Sequence, residues 1–248
     1  MKVVLLAGGF GTRISDVDQS VPKPLIRVNN KPLLWYILDH YSSHGFNDFY
    51  IALGYKSEKI KEYFLNLNHL YSDISINLKT QAIKKFNTIK KDWNINLIET
   101  GIGTLTGGRL KRLEDHIGNE RFMLSYGDSV SNVDIKKLLD FHVSHKKTGT
   151  ITAVNPPARF GELKIDNDTV YEFKEKPQID SGWINGGYFV FEPGFFKYLE
   201  NDETILERKP LETLAEKKQL MAFKHNGFWQ CVDTRRDRDN LEKILQKK

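Results

Sequence analysis

Val3-Val4-Leu5-Leu6-Ala7-Gly8-Gly9-Phe10-Gly11-Thr12-Arg13 is the stretch whose reading sets the fold. Its unbroken apolar opening reads as a strand over 3–7 buried on both faces, as in a parallel sheet covered by helices. The strand empties into glycines, and exposed backbone N–H groups there can cradle phosphate oxygens. Arg13 adds a planar fork suited to phosphate. A dinucleotide fingerprint would need a third glycine where Ile14 stands, so Gly9-x-Gly11 does not make one. No Gly-Lys-Ser/Thr sequence of the P-loop type is present. A plain strand-to-helix turn explains the glycines but not the arginine.

Outward from this stretch, short β-type runs alternate with amphipathic helical ones. Residues 31–44 place Leu34, Ile37, Leu38 and Tyr41 on one helical face. A second buried strand spans 49–53, and 57–65 reads as a helix capped by Ser57. Residues 73–78 and 95–98 alternate apolar with polar, predicting half-buried strands. A strand over 121–126 runs into Gly127-Asp128, followed by a helix over 134–145 and a strand over 148–154. Residues 163–173, broken at Asp166-Asn167-Asp168, predict a hairpin. Strands over 186–191, 220–223 and 228–232, a helix over 210–218 and a charged helix from 234 complete the chain. This is an α/β pattern: three layers around a mixed, mostly parallel sheet, with a small antiparallel β portion. No repeat or linker divides 1–248, so a single domain is expected.

Composition narrows the class. At about 150 residues per domain, 248 residues make one or two domains. Hydrophobic residues at 40% against 28% charged give a globular balance. A net charge of +5 suits a phosphorylated partner but is too small to argue for nucleic acid. The pairs Lys84-Lys85, Lys90-Lys91, Lys146-Lys147 and Arg235-Arg236 lie among acidic residues and read as solvated faces. One cysteine, Cys231, excludes an intrachain disulfide and fits a reducing compartment. No apolar run approaches the roughly 18 residues of a membrane span. The N-terminal run is too short for a signal-peptide core, so a cytoplasmic protein is expected. His40/His44 and His142/His145 have helical spacing but lack further ligands, and read as packing or surface histidines.

Beyond the glycines comes Pro22-Lys23-Pro24, where two prolines pin the backbone around one lysine on what reads as an exposed loop. Alone this is a turn. Paired with Gly-Gly-x-Gly-Thr-Arg it is far more specific, since a lysine held this way can sit on a reacting phosphate. Asp128 and Asp233 each follow a predicted strand, where open α/β sheets bind ligands. Either could be a helix cap.

With these motifs, the chain resembles the sugar-phosphate nucleotidyltransferases, and among them those that transfer a cytidylyl group to glucose 1-phosphate. The likeness spans essentially the whole length. It includes Thr100-Gly101-x-x-Thr104-x-Thr106-Gly107-Gly108-Arg109, Tyr126-Gly127-Asp128 and Arg159-Phe160-Gly161. It continues through Glu175-Lys176-Pro177, Ile184-Asn185-Gly186-Gly187 and Gly227-Phe228-Trp229-Gln230-x-x-Asp233-Thr234. The resemblance implies a Rossmann-like fold and the reaction of CTP with α-D-glucose 1-phosphate to give CDP-glucose and diphosphate. Such an activity feeds nucleotide-sugar and surface polysaccharide synthesis.

The resemblance also implies roles. Leu6, Ala7, Gly8, Gly9, Gly11, Thr12, Arg13, Lys23, Thr106, Gly107, Gly108, Arg109, Gly127 and Asp128 would bind the nucleotide, within a nucleotide-binding part of about 1–130. Gly161, Glu175, Lys176, Asn185 and Gly186 would bind the sugar phosphate, within an acceptor part of about 131–248. Lys23, Arg13, Asp128 and Asp233 would be catalytic, the two aspartates holding Mg²⁺. Thr106 to Arg109 falls where relatives using other nucleotides carry a different base-facing loop. Backbone there could read cytosine, or the segment is a helix N-terminus whose basic face continues at Lys111 and Arg112. Trp229 is expected to pack rather than stack on ligand. The resemblance further implies a homo-oligomer; from charge and hydropathy neither nucleic acid nor membrane is expected as a partner, and the short stretch after Asp233 leaves no room for an added acyltransferase or regulatory domain. Ser129, Ala158 and Lys209 depart from the family pattern and leave the acceptor open. Alternatives are another nucleotide or phosphorylated acceptor, and a non-catalytic sugar-nucleotide-binding protein.

Overall fold

Lys2–Leu6 forms β1, which has a parallel partner on each side and is fully buried at Val3, Val4 and Leu5, as its continuous apolar run requires. The computed structural model describes residues 1–11, 20–155, 162–174 and 182–246. After β1, the short pair β2 (Arg27–Val28) and β3 (Lys31–Pro32) leads into α1 (Leu33–Ser43), β4 (Asp48–Leu53), α2 (Ser57–Leu65) and α3 (Leu67–Leu70). Then come β5 (Asp73–Asn77), β6 (Ala82–Phe86), β7 (Asn94–Glu99), α4 (Thr106–Lys111), α5 (Glu114–Ile117) and β8 (Phe122–Tyr126). Next are β9 (Ser129–Ser131), α6 (Ile135–His145), β10 (Gly149–Val154), β11 (Glu162–Asp166), β12 (Thr169–Lys174) and β13 (Ile184–Phe191). The chain closes with α7 (Lys209–Glu216), β14 (Leu220–His225), β15 (Trp229–Cys231) and α8 (Arg235–Gln246).

The central sheet has seven strands in the order β14-β10-β13-β8-β1-β4-β7. Only β13 runs against its neighbours, so the sheet is mixed and mostly parallel, as expected. Alternate residues of each inner strand feed opposite cores. Val3, Leu5, Met123, Tyr188 and Val190 pack with α1 and α6 through Leu34, Ile37, Leu38, Tyr41 and Leu138. Val4, Leu124, Phe189 and Phe191 pack with α4 and α7 through Leu110, Leu211 and Leu214. These are the three layers the alternating pattern implies.

Two local expectations are corrected. Ser57 is the first helical residue of α2, not its cap: Lys56 holds the cap position in the left-handed region (φ 54°), with no side-chain cap bond. The strand expected to be half-buried at 73–78 is β5, exposed throughout, because it pairs only with β6 outside the central sheet. The hairpin expected over 163–173 is β11–β12, turning at Asn167 and Asp168 with φ of 41° and 71°, the signs a two-residue primed turn demands. Asp134 caps α6, its carboxylate accepting from the Lys137 N–H at 3.0 Å.

A smaller pairing positions the chemistry. β15 runs antiparallel to β9 with Cys231 opposite Ser129, and the Val232 N–H donates to the Asp128 carbonyl at 3.0 Å. This ribbon sets the ends of two remote strands side by side.

Candidate active site

At the C-terminal ends of β1 and β8 lies a cavity of about 450 Å³. That is the size range of small-ligand sites and the edge where open α/β sheets bind them. Its walls include Leu6, Ala7, Gly8, Gly9 and Gly11 from the glycine turn, Lys23, Gly127, Asp128 and Asp233, and Thr106 and Arg109. The fold thus gathers most of the residues expected to meet the nucleotide. A Cβ at Gly9 would meet nothing within 4 Å, so this turn faces open space. Thr12, Arg13, Gly161, Glu175, Lys176 and Ala158 lie outside the described residues.

Lys23 is the electrostatic centre. It begins a one-turn 3-10 helix, Lys23–Leu25, rather than an exposed loop, and its side chain is only 12% exposed. Its Nζ donates to Asp128 at 2.7 Å and to Asp233 at 2.6 Å, partners 105 and 210 residues away. Burial works against the ammonium, but the Asp128 carboxylate and then the bond to Asp233 outweigh it and raise the Lys23 pKa. Neither aspartate is a helix cap. Asp128 is followed by the strand β9, and α8 is capped by a Thr234–Asp237 capping box in which each residue takes the other's N–H. Asp128, Cys231 and Asp233 are the one group of three among the described residues that could hold a metal ion, their donor atoms all within 4.8 Å of one another. Burial, and next Asp128, push the Cys231 thiol well above its usual range.

Arg109 is held differently from what was expected of a base-facing loop. Nη1 donates to Leu53 O (2.9 Å), Thr100 Oγ1 (2.9 Å) and Gly101 O (2.7 Å); Nη2 donates to Gly8 O (2.9 Å) and Ile102 O (3.1 Å). All five acceptors are neutral. Burial foremost lowers its pKa. The guanidinium ties the glycine turn to the 100–102 segment. Gly8 is glycine because a Cβ there would stand 2.3 Å from Arg109 Nη1.

Gly107 and Gly108 correct the expectation more sharply. Both are buried in α4 and absent from the cavity wall. Their N–H groups donate to Thr204 O at 2.9 and 3.1 Å, and a Cβ on Gly108 would lie 2.5 Å from Asp202 O. These glycines let α4 pack against the 202–204 backbone and have no N–H left for a base edge.

Elsewhere at the cavity wall, Asn185 Nδ2 donates to the Tyr126 hydroxyl at 3.0 Å, which donates to Glu207 at 2.5 Å; Thr106 Oγ1 donates to the same carboxylate at 2.7 Å. Burial, then Glu207, raise the Tyr126 phenol. Gly186 is buried against β10, where a Cβ would stand 2.7 Å from Val154 Cγ1. Its carbonyl accepts from Trp229 Nε1 at 2.8 Å, so Trp229 packs as expected. Of the departures, Ser129 has a buried hydroxyl with no hydrogen-bond partner among the described residues, and Lys209 pairs with Glu200 at the surface. His142 is buried between Thr150 (2.7 Å) and Glu192 (3.2 Å), far from any metal cluster among the described residues. Glu207 and Cys231 were missed by the sequence reading. Alternation at 231 and 233 was a usable signal for the cysteine; nothing local marks Glu207.

The family model described as Nucleotidyl transferase matches residues 2–237. The chain is 45% identical over 248 residues to glucose-1-phosphate cytidylyltransferase of Salmonella typhi, covering 100% of this chain and 96% of that one. It is 40% identical over 235 residues to a probable glucose-1-phosphate cytidylyltransferase of Bacillus subtilis (strain 168), covering 94% and 92%. Among solved structures, HddC from Yersinia pseudotuberculosis complexed with GMP-PN superposes with a TM-score of 0.72 at 22% identity, over 98% of this chain and 99% of that one. That similarity speaks for the fold.

Proposed function

The chain belongs to the nucleotidyl transferase family, and from that premise we propose that it transfers the cytidylyl group of CTP to α-D-glucose 1-phosphate, releasing diphosphate and CDP-glucose. The observation that carries the reading is Lys23, bridging Asp128 and Asp233 at the wall of a glycine-lined cavity. The two relatives described as glucose-1-phosphate cytidylyltransferases support the substrates.

The acceptor phosphate oxygen attacks the α-phosphorus of CTP in line. One P–O bond forms, the bond to the β-phosphate bridge breaks, and diphosphate leaves. A phosphate monoester has a second pKa near 6 and is already largely dianionic at neutral pH, so no general base is required. Catalysis is then positioning and neutralisation of charge. N–H groups of the Gly8–Gly11 turn receive phosphate oxygens, and Lys23, Arg13 and Lys176 supply positive charge. Members of this family generally use a divalent metal. Here we take it to be Mg²⁺, held by Asp128 and Asp233, whose hard oxygens suit that ion; when bound it supplies further neutralisation of the phosphates. The Lys23 ammonium marks the place as one built for a cation.

With Gly107 and Gly108 withdrawn, base contacts fall to the wall segment Gly103, Thr104, Leu105 and Thr106. Glu175, Lys176, Asn185, Gly161 and Gly186 remain our acceptor-side assignment, in the second of two parts dividing near 130. The reading extends to a cytoplasmic homo-oligomer, tested by light scattering. No helix among the described residues is long and apolar enough to cross a membrane. The decisive experiment is a panel of nucleotides and sugar phosphates with Mg²⁺, scored by diphosphate release. A cavity wall matched to cytosine leaves a polar group unpaired against uracil, which costs about 1–3 kcal/mol. CTP is therefore expected over UTP and dTTP by at least about tenfold in kcat/KM. Equal use of CTP and UTP removes the cytidylyl assignment and leaves nucleotidyl transfer standing.

A further inference from the structure

Glu207 is the third carboxylate at the cavity wall, after Asp128 and Asp233, and the reading above gives it no task. Asp128 and Asp233 share the Lys23 ammonium. Glu207 instead takes two hydroxyls among the described residues: Tyr126 Oη donates to Oε1 at 2.5 Å and Thr106 Oγ1 to Oε2 at 2.7 Å. A carboxylate held without a cation repels phosphate, so Glu207 suits a part of the ligand that carries none. Its partner Thr106 ends the wall segment assigned to the base. The preceding residue, Leu105, is apolar yet 41% exposed in that wall, a seat for the flat face of a base.

The hydrogen bonds around Glu207 run in one fixed direction. A free hydroxyl rotates to serve a donor or an acceptor alike, but these two are committed. The Leu206 N–H donates to Thr106 Oγ1 at 2.9 Å, and the Thr106 proton goes to Glu207. On the other side, the Gly187 N–H donates to Asn185 Oδ1 at 2.8 Å. That turns Asn185 Nδ2 toward Tyr126 and sends the Tyr126 proton to Glu207. Two backbone N–H groups thus polarise this wall toward a carboxylate that accepts and does not donate. A carboxylate has about four lone-pair sites, so acceptor capacity remains for a ligand.

Cytosine carries an amine donor at C4, where uracil carries a carbonyl acceptor. We propose that the Glu207 carboxylate accepts a hydrogen bond from the 4-amino group of CTP and sets the preference for cytosine over uracil. This rests on the cytidylyl reading and names the group that enforces it. Against UTP the same carboxylate meets a carbonyl oxygen, acceptor against acceptor, and neither hydroxyl is free to turn and relieve the clash.

Glu207→Gln supplies an amide that can donate, at nearly the same size. Diphosphate release is measured with CTP, UTP and the CTP analogue bearing hydrogen in place of the 4-amino group, with glucose 1-phosphate and Mg²⁺ throughout. In the parent, CTP exceeds UTP and the analogue by at least about tenfold in kcat/KM. In Glu207→Gln the CTP-to-UTP ratio falls at least about tenfold, and CTP and the analogue become nearly equal. Glu207→Asp keeps an acceptor and keeps the order CTP over UTP. A ratio that Glu207→Gln leaves unmoved, or a raised KM for glucose 1-phosphate as its sole effect, overturns the assignment while cytidylyl transfer stands. The analogue needs no variant to fold: if the parent uses it as well as CTP, the amine contact is overturned. Equal use of CTP and UTP by the parent removes the cytidylyl reading itself.

Discussion

Lys23 and Arg109 line the same cavity and are both largely removed from water, but their partners differ in kind. Lys23 meets two carboxylates at 2.7 and 2.6 Å. Arg109 meets four backbone carbonyls and a hydroxyl, with no anion among its hydrogen-bond acceptors. A buried cation among carboxylates is exchangeable, because another cation can take over the same anions. A guanidinium spread over neutral acceptors is a fixture, because the N–H groups of its two terminal nitrogens reach both sides of that constellation and a single ammonium cannot. The contrast separates a cation that another could replace from one that holds the turn in shape.

The largest expected effect falls on the exchangeable cation. Lys23→Ala should lower kcat by about 10²–10³, as removal of one preorganised charge does. The same variant leaves Asp128 and Asp233 facing each other without their shared ammonium. Its melting temperature without metal should fall, and Mg²⁺ should raise it more than it raises the parent's. Diphosphate release and thermal melts with and without Mg²⁺ check both halves. Near-normal turnover, or an equal Mg²⁺ shift in the two proteins, breaks the idea that the ammonium and a metal share these anions.

Arg109→Lys tests the fixture. The charge stays, but buried carbonyls lose donors, for a cost of about 3 kcal/mol. In a chain of this size that lowers the melting temperature by about 10 °C. Because Gly8 loses its anchor, KM for the nucleotide should rise more than kcat falls. An unchanged melting temperature with a collapsed kcat would move Arg109 to the reacting phosphates and erase the contrast.

Half of this contrast was legible in the sequence. The continuous apolar run at 3–7 and the glycines after it locate the sheet and the turn at the cavity wall, and Pro22-Lys23-Pro24 marks a lysine held by its backbone. The partners of Lys23 were nameable, but their adjacency depends on the β9–β15 pairing, a contact between remote segments that no local pattern encodes. Arg109 was misread for a related reason. In Gly107-Gly108-Arg109-Leu110-Lys111-Arg112 it looks like part of a basic face, and only the fold shows it threading between Gly8 and Gly54. Glycine next to that arginine suggested access for a base, whereas the close neighbour is the 202–204 backbone. The exposed β5 shows the same limit: alternation predicts a two-faced strand, but burial requires a sheet to receive it.

A neutral buried polar group sharpens the comparison further. His142 lies at the opposite end of the sheet between Thr150 and Glu192. Burial foremost lowers its pKa to about 4, against the help of Glu192. Between pH 6.5 and 4 the unfolded chain therefore binds more protons here than the folded one, so stability falls as pH falls through that window. Denaturant melts across this range should show a shallower acid decline for His142→Asn than for the parent. Parallel pH curves for the two proteins would show that His142 keeps an ordinary affinity for its proton.

The smallest effect concerns what holds Asp233 besides Lys23. The Asp237 carboxylate accepts from the Asp233 N–H at 3.1 Å and from the Thr234 N–H at 2.9 Å, while the Asp237 N–H donates to Thr234 Oγ1 at 3.2 Å. This capping box starts α8 and fixes the backbone that carries Asp233, without Asp237 itself lining the cavity. Asp237→Ala should cost about 1 kcal/mol, the usual effect of losing such a cap, since the freed N–H groups can turn to water. Its second consequence follows from the exchangeable half of the comparison. With its backbone looser, the Asp233 carboxylate is less firmly aimed, and a metal that displaces the ammonium must then do more of the ordering itself. The Mg²⁺ concentration for half-maximal diphosphate release should rise about tenfold, as when a metal ligand loses its supporting hydrogen bond. A melting temperature lowered by about 3 °C with the Mg²⁺ requirement unchanged would mean that the capping box serves α8 only and takes no part in aiming Asp233.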